Sequence, residues 1–179
     1  MNRSGFRWMA ALAALGVVVA TTAVGAAPEH DRLKAMCGRW DVEMTFVLQP
    51  GRPGITTMGT STIRPLFDGL FVEEKIEGTL NGRSFTTLAW TGYNATTRQY
   101  EATRIASTNG SRIAEAGVYD EAAKQFELKA DYQLAGDTWH QRTVIQPLSG
   151  DAMIATSYLS FGAVPEWKSV VIKYTRKPV

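Results

Sequence analysis

Gly38-Arg39-Trp40-Asp41-Val42-Glu43-Met44-Thr45-Phe46-Val47-Leu48-Gln49 carries an apolar side chain at every second position from Trp40 to Leu48. Arg39, Asp41, Glu43 and Thr45 fill the gaps, and only Val47 breaks the alternation. Successive side chains on an extended chain point to opposite faces, so this spacing predicts a strand with one face buried and one in water. The segment before it reads differently. From Glu29 to Cys37 the spacing suits a short helix with Leu33, Met36 and Cys37 on one face, and Gly38 ends it.

Downstream of Gln49, turn chemistry recurs at short intervals. Pro50-Gly51-Arg52-Pro53-Gly54 comes first, followed by Asp68-Gly69, Asn81-Gly82, Asn94 to Thr97 and Asn109-Gly110. Asp120 to Lys124, Gly136-Asp137, Ser149-Gly150-Asp151 and Gly162 to Glu166 complete the series. Asn-Gly and Asp-Gly pairs favour tight hairpins because the turn requires positive φ. The intervening segments alternate as well, most cleanly at Phe126, Leu128, Ala130, Tyr132 and Leu134, and Trp167 to Arg176 is expected to be the final strand. The reading is an all-β, antiparallel up-and-down meander of about ten strands. Such a sheet leaves two open edges unless it curls shut, and hairpins without a long crossover favour a closed barrel over a two-sheet sandwich.

The N-terminus has the order of a secretory signal: Arg3 and Arg7, an apolar run from Trp8 to Ala20, then small residues around Val24 to Ala27. That run falls short of the roughly 20 residues a bilayer crossing takes, although extending it to Val24 narrows the gap. Residues 1–26 are therefore expected to be a cleaved signal peptide and residues 27–179 a single domain, secreted or periplasmic. The chain has 19 basic and 17 acidic residues; Arg3 and Arg7 leave with the signal, so the mature chain balances at 17 of each. A neutral domain lacks the basic excess that nucleic acid or an anionic membrane surface demands. The single cysteine, Cys37, excludes an internal disulfide and reads as a small buried hydrophobe or a free thiol.

Catalytic templates are missing from the sequence. It has no Gly-x-Ser-x-Gly elbow, phosphate loop, Cys-x-x-Cys or His-Glu-x-x-His. His30 reads as a solvated or capping residue. His140 faces outward if Trp139, Thr143 and Ile145 face in, which disfavours haem ligation. No metal or cofactor site is expected. The residues that point elsewhere are polar ones on apolar faces. With regular strands Glu74 points inward beside Leu70, Val72 and Ile76, and Tyr100, Ala102 and Arg104 share one face. Unpaired charge in an apolar interior is costly, so Glu74 and Arg104, with Arg142, are expected to form a polar floor that orients a ligand head. One residue of slip or a bulge turns Glu74 outward instead. Trp40, Trp90, Tyr100, Phe126, Trp139 and Trp167 either line a pocket or fill the core.

Leu33, Gly38-Arg39-Trp40, the turn at 50–54, Phe67-Asp68-Gly69-Leu70-Phe71-Val72, Gly92-Tyr93-Asn94, Gly117-Val118-Tyr119-Asp120 and Ile172 to Lys177 occur in order. In this pattern the chain resembles the bacterial family known as domain of unknown function 1579. The resemblance implies a lipocalin-like, calycin-type barrel and supplies no activity. Family members often carry an aromatic residue where this chain has Arg104, a departure bearing on what an interior prefers. The function expected from these readings is an exported barrel binding a small apolar or amphipathic molecule, with Trp40, Glu74, Tyr100, Arg104 and Arg142 as ligand contacts. An enzyme using Glu74 in acid–base work on a lipophilic substrate, and a filled structural barrel, are the alternatives.

Overall fold

A computed structural model describes residues 28–178 apart from 109 and 111. The expected signal peptide, and two residues of the Asn109 turn, lie outside the described residues. Helix α1 (Pro28–Ala35) precedes ten strands: β1 (Gly38–Phe46), β2 (Ile55–Leu66), β3 (Phe71–Leu80), β4 (Arg83–Asn94) and β5 (Gln99–Ala106). Then follow β6 (Arg112–Asp120), β7 (Gln125–Leu134), β8 (Asp137–Ser149), β9 (Ala152–Phe161) and β10 (Val164–Arg176). Every strand pairs antiparallel with its sequence neighbours, and β1 pairs with β10 to close the barrel, from Trp40 opposite Arg176 to Phe46 opposite Val170. Closure satisfies the two edges that a ten-strand meander leaves bare.

The alternation read from the sequence survives in the walls. Trp40, Val42 and Met44 are buried on one side of β1, and Phe126, Leu128 and Ala130 on one side of β7. Asn81 and Gly82 both take positive φ, as the tight β3–β4 hairpin requires. The Asn94 side chain accepts from the backbone N–H of Thr96 and Thr97, closing the β4–β5 turn from within.

Three details depart from expectation. β1 stops at Phe46 and Leu48 is exposed, because the chain leaves the sheet for the Pro/Gly-rich loop at 50–54. β10 begins at Val164 rather than Trp167, with register shifts on both sides of Trp167 and Lys168 that the alternation does not signal. His30 is buried on the face of α1 that carries Leu33, edge-on to Tyr93, and is not solvated.

The two ends of the barrel differ. α1 closes one end. Leu33 is fully buried there, among Met36, Trp40, Val72, Tyr100 and Phe126. The helix is clamped by Arg176, whose guanidinium lies 4.1 Å over the Trp40 ring and donates to the Cys37 and Ala35 carbonyls at 2.7 and 3.2 Å. A cation on the last carbonyls of a helix satisfies groups that have no partner within it. Gly38 takes φ 149°, and a Cβ at that position would run into the Arg176 guanidinium. Cys37 is half-buried against Leu33, and burial holds its thiol above the ordinary range. The opposite end, where Phe46, Ala106, Leu134 and Phe161 finish their strands, has no helix across it among the described residues.

Candidate functional site: the barrel cavity

A cavity of about 140 Å³ lies inside the barrel above the plug. Phe46, Ile76, Phe85, Val170 and Ile172 line the side formed by β1, β3, β4 and β10, Ile145 lies deeper on β8, and Glu74, Arg104, Gln141, Thr143 and Tyr174 supply the polar groups. Regular alternation on β3 turns Val72, Glu74 and Ile76 to one side, and no slip intervenes: Glu74 pairs in register with Ile63 and with Ala89. Alternation on β5 places Tyr100, Ala102 and Arg104 inward, and Ala89 stands opposite Arg104 as well. One alanine of β4 therefore separates the two charged residues, leaving space above it.

The polar layer divides into two linked groups. Glu74 Oε1 accepts from Ser61 Oγ at 2.9 Å and from Tyr174 Oη at 3.0 Å. Burial first, and the Glu74 carboxylate second, push the Tyr174 phenol well above its ordinary range, so it serves as a protonated donor. On the other side stands Glu115 of β6, whose side chain is 0% exposed. Its Oε1 accepts from Thr143 Oγ1 at 2.6 Å and Gln141 Nε2 at 3.0 Å. Thr143 in turn accepts from Gln141 Nε2 at 3.2 Å. Glu115 Oε2 has no hydrogen-bond partner among the described residues, and its nearest cation is Arg104 Nε at 3.8 Å. Burial opposes the charge on Arg104, but the Glu115 carboxylate, and Glu74 after it, outweigh that and raise the guanidinium's pKa. Burial, with Glu115 close by, also raises the Tyr132 phenol.

Of the five residues expected to contact a ligand, Glu74 and Arg104 border the cavity. Trp40 and Tyr100 face inward at a lower level, in the plug. Trp40 Nε1 donates to the Met36 carbonyl at 3.1 Å, and Tyr100 Oη donates to that of Glu29 at 3.3 Å. Arg142 is a correction. It alternates with Gln141 and Thr143 and so stands on the outer face, bound to Glu166 through two parallel contacts of 3.0 and 2.7 Å and stacked over Tyr158. His140 is outside too, 2.7 Å from Asp131. Trp90 points outward to Glu73, while Trp139 and Trp167 pack around Phe161 at the open end. Glu115, Gln141 and Tyr174 were not singled out from the sequence. Glu115 shares its strand face with Ile113 and Tyr119, which is the pattern that marked Glu74.

The outer pair makes a testable statement. The Arg142 hydrogen bonds hold the Glu166 carboxyl below the ordinary carboxylate range. A depressed folded-state pKa contributes stability above the unfolded value and loses it as pH falls through the folded one. With Glu166 44% exposed that contribution is small, so the readout is titration itself. Carboxyl NMR of Arg142→Met is expected to show Glu166 titrating at higher pH than in the wild type. An unchanged midpoint would mean that the pair does not form in solution.

With this geometry in hand, residues 26–176 match the family model described as protein of unknown function (DUF1579). The chain belongs to that family. Among solved structures, the DUF1579 barrel resembles the S-type phycobiliprotein lyase CPES from Guillardia theta at TM-score 0.58 and 9% identity, covering 83% of this chain and 92% of that one. A redesigned β-barrel matches at TM-score 0.48 and 13% identity, over 82% and 96% of the two chains. Identities this low establish shared architecture alone. No curated protein matches the DUF1579 barrel.

Proposed function

We propose that this protein is an exported barrel that binds a small amphipathic molecule, apolar part toward the mouth and polar head on the Glu74–Arg104 floor. The observation that carries the reading is the cavity: apolar walls with a few convergent polar groups, the usual make-up of a ligand site. Volume bounds the guest. An apolar cavity of about 150 Å³ holds benzene, whereas drug-sized ligands occupy about 300–1,000 Å³. At about 140 Å³ the space accepts one ring or a short branched chain, or the end of a longer molecule extending through the mouth.

Ala155 borders the cavity, and a leucine there adds its branched chain to the empty space. Ala155→Leu is expected to abolish binding of single-ring probes such as toluene, followed by saturation-transfer NMR, while changing stability by no more than about 1–3 kcal/mol. Toluene binding that persists in Ala155→Leu places the site elsewhere. For export, the mature N-terminus recovered from the periplasm or medium is expected at Ala27. An intact Met1 on exported protein would sink that part of the reading.

A further inference from the structure

Among the described residues, the barrel interior around the cavity holds two carboxylates, Glu74 and Glu115, and one guanidinium, Arg104. Arg104 stands nearest to Glu115, which is fully buried and reaches no other cation among the described residues. That leaves Glu74 with two neutral donors, Ser61 and Tyr174, both on Oε1. A carboxylate offers about four acceptor positions over its two oxygens. Glu74 Oε2 has no donor among the described residues, and the side chain borders the cavity. Arg104 acts on Glu115 first and on Glu74 only after it, so the three charges leave one negative charge in excess, which a counter-charge in the cavity would offset.

We propose that the guest carries a positive head, an ammonium or similar organic cation, that donates to Glu74 Oε2 at the cavity floor while its apolar body lies against Phe46, Phe85 and Val170. One added positive charge brings the polar layer to neutrality, which neither an anion nor a neutral head does. Phe46 and Phe85 meet edge to face at 5.9 Å on the wall above, an aromatic surface suited to the body of the guest. Glu74 precedes Ile76 on the way to the mouth along β3, so the head enters first and the body follows it. This inference rests on the cavity being a binding site.

The test uses four probes with one ring each: benzylamine, benzyl alcohol, benzoate and toluene, titrated into the processed wild-type protein near neutral pH by calorimetry and ligand-observed NMR. Benzylamine is expected to bind about tenfold or more tighter than benzyl alcohol, the size of effect for a hydrogen bond to a charged group, and benzoate weakest. In Glu74→Gln, checked for an unchanged unfolding midpoint, the amine is expected to lose its advantage over the alcohol. Ala155→Leu is expected to remove the binding of all four. If benzyl alcohol or benzoate binds as tightly as benzylamine in the wild type, the positive head is overturned and the cavity reading stands. If none of the four binds, both fall. The wild-type comparison needs no variant, so a poorly folding Glu74→Gln does not rescue the proposal.

Discussion

Trp40→Ala is expected to lower the unfolding free energy by about 3–5 kcal/mol, the range for deleting a buried tryptophan ring. Trp40 is 2% exposed and meets three structures at once. Its ring fills the plug beside Tyr174, its Nε1 donates to the last turn after α1, and its outer face carries the Arg176 guanidinium. Alanine leaves a hole under the helix and orphans the Met36 carbonyl. It also removes the surface on which Arg176 is stacked while capping Ala35 and Cys37. Urea denaturation measures the change, with Trp90→Ala as the comparison: Trp90 has a similar ring on the outer face, bound to Glu73, and should lose less than half as much. Equal losses at the two positions would mean that the plug is not where the barrel's stability is concentrated.

Arg104→Met is expected to cost about 3 kcal/mol, toward the low end for removing one partner of a buried ion pair. The Glu115 carboxylate is the reason. It stays fully enclosed, with Oε2 facing no cation, once the guanidinium is gone. Arg104 itself keeps 24% of its side chain exposed in the cavity, where water softens the penalty. Adding Glu115→Gln to Arg104→Met is expected to restore more than half of the loss. The amide oxygen retains the Thr143 and Gln141 contacts, and no charge remains at position 115. A double variant no more stable than Arg104→Met would show that charge pairing is not what holds this layer together.

How far these residues were legible follows from what a period of two encodes. Parity says which wall a side chain faces, and it placed Glu74 and Arg104 inside without any structure. Applied consistently to β8, with Trp139 and Thr143 inward, it also puts Arg142 outside; charge type had outweighed position there. Parity is silent about height along the barrel. Trp40 and Tyr100 face inward but lie a level below the cavity, and the stagger between strands that sets this level comes from pairings of residues far apart in sequence. Glu115 was hidden for another reason: Ala114, Ala116 and Gly117 around it blur the alternation that made β1 and β7 obvious. His30 sits three residues before Leu33, a helical spacing that predicts a shared face once the helix is docked.

The junction of β1 with β10 has a consequence for how the molecule is made. Residues near position 40 find their partners near position 176. Until the chain is synthesised almost to its finish, the first strand has a bare flank and Trp40 has neither Tyr174 nor Arg176 to lean on. Contacts this distant in sequence exact a large loop entropy and slow the search for the native state. Closure of the hoop thus waits until β10 has been made, and a chain interrupted before that clasp retains an adhesive border.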